Sequence, residues 1–156
     1  MKRLLLGLAI VAGCASNPAD VEGTYSVGVT NREDGCNFGW TVGQMNSGIS
    51  VVITQSGDSA VADVQGLAGL AVGAALGTHT FSGSVDGNAL DLFAAGTNPK
   101  TTGNCTYTYD GRINATASGD TLQGTITYTA NTNTNPDCAA VQCTSTQDFA
   151  GSRPPR

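Results

Sequence analysis

The chain has 156 residues, twelve acidic side chains against seven basic ones, a single histidine and a formal net charge of −5. That balance excludes nucleic acid as a partner, and polybasic attachment to anionic lipid with it. The length fits one domain, and a composition rich in Thr, Ser, Asn and Gly but poor in charges and aromatics suits an all-β protein outside the cytoplasm.

The N-terminus carries an address. Met1-Lys2-Arg3 is basic, and the apolar run from Leu4 to Ala12 is too short to span a bilayer. Together they form a bacterial export signal. The run ends in Val11-Ala12-Gly13-Cys14. This resembles the lipobox of bacterial lipoproteins, which implies a signal peptide over 1–13 and a lipidated Cys14, acylated with fatty chains such as palmitate. Ala15, rather than aspartate, follows the cysteine, and by similarity to enteric lipoproteins this implies the outer membrane. The alternative is an ordinary secretory signal cut near Ala15. Without Lys2 and Arg3, five basic residues face twelve acidic ones, a net charge of −7. Residues 14–22 read as a lipidated linker of at most about 25 Å, which would keep a domain over 23–153 close to the membrane. Residues 154–156 form a tail.

Alternating strands follow. Gly23 to Thr30 places Tyr25, Val27 and Val29 on one face. Residues 31–48 are a long connection containing Cys36 and Trp40. Ile49 to Gln55 and Ser59 to Gln65 are strands joined by Ser56-Gly57-Asp58. Gly66 to Gly77 has no polar side chain. It is too short to span a membrane, and its glycines weaken a helix. It reads first as a short buried helix or packed loop closing the core, then as a lid over a ligand cavity, and last as a membrane-inserting loop. Thr78 to Val85 and Ala89 to Ala95 flank the hairpin turn Asp86-Gly87-Asn88. Residues 96–103 form a loop. The clearest pattern is Asn104 to Ala130. Cys105, Tyr107, Tyr109, Gly111, Ile113, Ala115 and Ala117 alternate with polar residues, and the chain returns after Ser118-Gly119-Asp120. Residues 131–142 are polar, and a last strand runs from Cys143 to Phe149.

Eight strands in sequence order predict an all-β fold, an antiparallel up-and-down meander best closed as a small barrel, since closure removes exposed edges. Parity then places the three short turns at one end and the long connections at the other. Cys36, Cys105, Cys138 and Cys143 all fall beside the long connections. In an exported chain they suit two disulfides. Neighbouring first and last strands favour Cys36–Cys143 with Cys105–Cys138. The rival is Cys138–Cys143 with Cys36–Cys105. Their spacing does not suit a zinc site, so no metal is expected. A membrane-spanning barrel is disfavoured by polar outer faces and by strands of about seven residues, shorter than the ~9–11 a bilayer needs.

Gly23-Thr24-Tyr25 resembles the Gly-x-Trp opening of lipocalins and related calycins. In that family an arginine near the end of the last strand packs across the aromatic ring, and Arg153 is placed to do so on Tyr25. The resemblance implies a ligand-binding barrel. Tyrosine stands where the family has tryptophan, and no helix follows the last strand.

No catalytic constellation is visible, so no enzyme and no cofactor are expected. His79, the lone histidine, reads as a strand residue near the rim rather than a general base. Tyr107, Tyr109 and Tyr128 share the inward face, as packed core or as a pocket wall; small barrels are usually filled. Gly83, Gly111 and Gly124 leave space there. Two functions follow. One is a lipid-anchored barrel binding a small apolar ligand or an envelope partner at its stapled loop rim, through Trp40, Leu67, Leu70, Val72 and His79. The other is a structural or protein-interaction lipoprotein with a filled core.

Overall fold

The computed structural model describes residues 17–156. The signal peptide and the lipidated Cys14 expected from the sequence lie outside the described residues.

The strands are β1 (Gly23–Asp34), β2 (Met45–Ser56), β3 (Ser59–Val64), β4 (Thr80–Asp86), β5 (Ala89–Ala94), β6 (Lys100–Thr102), β7 (Cys105–Ser118), β8 (Thr121–Thr132) and β9 (Thr144–Ser152). One helix, α1 (Gly66–Leu76), links β3 to β4, and a 3-10 turn over Pro136–Ala140 precedes β9. Every neighbouring pair is antiparallel, and β5 also pairs with β7 while β1 pairs with β9. Eight strands therefore close into a barrel, and the expected all-β meander stands. The short β6 lies above β5 along the same edge of β7, because Lys100 opposes Tyr107 while Ala94 opposes Gly111.

The alternation that predicted β7 is the alternation of burial. Tyr109, Gly111, Ile113, Ala115 and Ala117 are buried, and Arg112, Asn114 and Thr116 between them are exposed. Period 2 puts one set inside and the other in water. Residues 56–59, 86–89 and 118–121 turn the chain at one end, here called the bottom, and the long connections gather at the top.

Several boundaries differ from the sequence reading. β1 continues to Asp34 and β2 begins at Met45, so the 31–48 connection is a hairpin with a loop over 35–44. The pairing carries a register shift between Val27 and Val29, which blurs the alternation there. β2 and β8 each run twelve residues and β7 fourteen, so strand length does not separate this barrel from a membrane-spanning one. The outer face does. It carries ion pairs of Arg112 with Asp91 and of Arg32 with Asp148, where a bilayer would require an apolar band.

The segment expected as a free linker is partly built into the bottom. The Ala19 amide donates to the Gly87 carbonyl at 2.7 Å, and the Val21 amide to Gln55 Oε1 at 2.7 Å. Val21 is fully buried, and its carbonyl accepts the Tyr25 hydroxyl at 3.2 Å. Arg153 packs over Tyr25, its guanidinium carbon 5.6 Å from the ring centroid. Its Nε donates to Asp120 Oδ1 at 3.0 Å, and its Nη atoms donate to the carbonyls of Glu22 and Asp20. The arginine-on-tyrosine contact read from the sequence is present.

The inward glycines do not hold space open. A Cβ on Gly111 would lie 2.8 Å from Phe81 and 2.9 Å from Leu76, so the missing side chain admits those two. At Gly83 and Gly124 a Cβ would strike the backbone of the next strand, at Asp91 and Asn114. Glycine there allows the close approach of a small barrel's strands.

Candidate ligand cavity

The interior is hollow. A cavity of about 900 Å³ runs from Tyr25, Leu90 and Leu122 near the bottom to the top connections. Its walls are mainly aliphatic and aromatic, among them Val27, Ile53, Phe81, Leu92 and Ile113. That volume is at the upper end for small-molecule sites, and would hold roughly 30 waters at liquid density. The inward alanine at 62, where a larger residue would fill the barrel, contributes to it.

Two elements frame the mouth. The first is α1. It is a helix as expected but not a buried one. Only Gly69 and Leu76 are buried, while Leu67 is 85% and Leu70 72% exposed. The helix has no polar face to turn outward, so apolar side chains meet solvent. Its C-terminal end is fastened: Asn98 Nδ2 donates to the Ala74 carbonyl at 2.8 Å, and the Thr97 amide donates to the Leu76 carbonyl at 2.6 Å. Gly69 lies against the Val64 carbonyl, where no Cβ would fit. Leu67, Ala68, Ala71 and Val72 line the cavity. Since Leu67 is also largely exposed, the cavity reaches the surface beside it.

The second element is the loop over 35–44, organised by Asp34. Asp34 Oδ1 accepts the Phe38 amide and Oδ2 the Gly39 amide, each at 2.8 Å, and Ser145 Oγ donates to Oδ1 at 3.2 Å. Burial would raise the Asp34 carboxyl, but these hydrogen bonds outweigh it and hold the group below the usual aspartate range. The turn brings Phe38 and Trp40 inward. The Phe38 ring is 4.8 Å from Tyr109, 5.5 Å from Tyr128 and 5.4 Å from Trp40. The two contacts with tyrosine are edge-to-face, a geometry that adds stability beyond the buried area.

Both disulfides are at this end, Cys36–Cys143 and Cys105–Cys138. Of the two pairings the sequence left open, this is the one that follows from β1 lying beside β9. Cys36 follows β1 by two residues, Cys143 immediately precedes β9, and Asp34 opposes Ser145 beside them.

The other predicted residues divide. Tyr109 and Tyr128 line the cavity; Tyr107 does not, and meets the Tyr109 ring edge to face with centroids 5.5 Å apart. Burial holds the Tyr128 phenol well above the usual tyrosine range, so it stays neutral. Its hydroxyl donates to Gln147 Oε1 at 3.1 Å, and Gln147 Nε2 donates to Asn31 Oδ1 at 2.7 Å. Trp40, Leu67 and Val72 line the cavity, whereas Leu70 faces solvent. His79 is off the wall. Its Nε2 lies 3.2 Å from Asp63 Oδ1, at the neck where α1 joins β3 and β4, and that buried oxygen has no other partner among the described residues. Phe38, Gln147 and Lys100 also line the cavity. Sequence reasoning missed all three. Phe38 and Trp40, two large aromatics two residues apart in a polar glycine-rich loop, were the available signal.

Among the described residues no group of three or more His, Cys, Asp or Glu side chains is placed to hold a metal ion. No family model matches the chain, nor does any curated protein or solved structure.

Proposed function

We propose that this barrel binds a small apolar ligand in its interior, as an envelope lipoprotein held to the outer membrane through Cys14. The observation that carries the binding reading is the hollow, apolar interior reaching the surface beside Leu67. Leaving such walls against water is unfavourable, at roughly 25 cal/mol per Å² of apolar surface, so an apolar occupant is favoured. The aromatic loop and the disulfides hold the mouth in one arrangement, which lowers the ordering cost of binding.

The anchor reading rests on the lipobox-like Val11-Ala12-Gly13-Cys14. Five residues from Cys14 to Ala19 reach at most about 18 Å. With Ala19 fixed on the bottom turns, the bottom would face the lipid and the mouth would point away. A rival use of the same rim is docking an envelope protein. Trp40, packed against Phe38 and Tyr128, fits a wall better than a protruding contact.

The test of binding is titration with N-phenyl-1-naphthylamine, a neutral apolar fluorophore. Saturable one-to-one binding that quenches Trp40 is expected. Absence of binding by a folded, delipidated protein would refute the cavity reading. The anchor is checked separately by intact mass of membrane-fraction protein. A chain beginning at Cys14 with acyl groups is expected, and a soluble unmodified form would refute it.

A further inference from the structure

We propose that the ligand is a single-chain amphiphile with an anionic head, and that Lys100 binds the head. This rests on the reading of the cavity as a ligand site. Among the described residues that line the cavity, Lys100 is the only one with a charged side-chain type. The protein has a large excess of acidic groups, yet its hollow interior presents one charge and that charge is positive.

Each other basic group among the described residues is already matched. Arg32 pairs with Asp148 at 2.7 Å, Arg112 with Asp91, Arg153 with Asp120 at 3.0 Å and Arg156 with Asp20 at 2.6 Å. Among the described residues Lys100 has no carboxylate within 4.0 Å. Its ammonium lies 5.3 Å from the centroid of the Tyr109 ring, itself a cavity wall. A cation–π contact orients the group, and among the described residues its ammonium donates no hydrogen bond to a protein acceptor.

The position along the barrel fits a head rather than a tail. Lys100 begins β6, above the end of β5, and the Asn98 side chain two residues earlier fastens the C-terminal end of α1. The charge therefore sits at the level of the mouth, where Asn37, Asn46 and Ser47 add polar groups to the lining. Below it the walls down to Leu90 and Leu122 are mainly apolar, and the amide of Gln147, the polar side chain on that stretch, is already engaged by Tyr128 and Asn31. A ligand with one extended apolar chain and one negative end matches that division. A neutral ligand would leave the ammonium facing an apolar occupant, and a cationic one would be repelled.

Calorimetric titration of the full mature chain, delipidated, tests this with three probes of one chain length: dodecanoate, dodecanol and dodecyltrimethylammonium. The expected order of affinity is dodecanoate, then dodecanol, then the ammonium. The step from alcohol to acid should be about fivefold, the upper end for a half-exposed ion pair. Lys100→Met should abolish that step, and Lys100→Arg should keep it. Equal affinity for dodecanoate and dodecanol in the unaltered protein would overturn the assignment while leaving the cavity reading intact. So would a step that survives Lys100→Met. Failure of all three probes to bind would overturn both readings.

Discussion

The two ends of the barrel are closed by different kinds of bond. At the bottom, the chain folds back on itself without a covalent link. Residues 19–22 lie across the turns, and Arg153 ties them to Asp120 and Tyr25. At the top, two disulfides fix the connections, yet the interior opens there. Polar contacts seal the first end by filling it. Covalent bonds hold the second in shape around a space, where packing alone would require the space to be filled. A rim that must stay open and still keep one arrangement is a reason to place cross-links at that end.

That contrast can be broken from either side. The largest effect should come from Cys36→Ala with Cys143→Ala. The two cysteines are 107 residues apart, and loosening a loop of that order costs about 4–5 kcal/mol in the chain-entropy account. Removing Cys105–Cys138, whose partners are 33 apart, should cost about 1 kcal/mol less. Denaturant unfolding of the two double variants measures the difference, and the reverse order would show that strain or residual structure outweighs loop length.

Arg153→Met breaks the bottom instead. The side chain is only 6% exposed and holds two backbone carbonyls as well as Asp120. A loss of about 2–4 kcal/mol is expected, with faster amide exchange at Val21 and unchanged exchange in β7 near Cys105.

The smallest effect sharpens the top. Asp34→Asn should cost about 1 kcal/mol near neutral pH, since the charge strengthens its hydrogen bonds to the loop. The Asp34 carboxyl is depressed below its ordinary 3.8. Its contribution is thus complete above that value and is lost as pH falls through the lower, folded-state value. The gap between the two proteins should therefore narrow below about pH 4, as read from melting curves across that range.

The strands, turns and closure were legible in the sequence because one face of each strand is wet. Tyr109 to Ala117 alternates without interruption, and turns such as Asp86-Gly87-Asn88 are residue choices the backbone requires. The disulfide pairing was only half legible. Both pairings satisfy the spacing, and the adjacency of β1 and β9 decides between them. The cavity was less so. Whether Tyr109 and Tyr128 fill a barrel or wall it depends on where their rings lie, which period 2 does not encode. Phe38 belongs to an irregular loop and Lys100 to a three-residue strand, too short for periodicity to mark which way a side chain points. The scarcity of lysine was a usable hint, since Lys100 is the only one after Lys2.

Closing the sheet through β1 and β9 has a consequence for how the molecule is made. A chain appears at one end first, and here the first strand completed needs the last one as its neighbour. Until Thr144 to Ser152 have been produced, one edge of β1 has nothing to pair with, and Cys36 waits for a thiol 107 residues later. The residues after β9 matter as much, because Arg153 and Arg156 reach back to Asp20 and Glu22. Contacts so distant in sequence form slowly, and the unfinished edge is exposed to wrong pairing meanwhile. The barrel cannot close until β9 has been made, and a protein lacking that strand would be left with an open sheet.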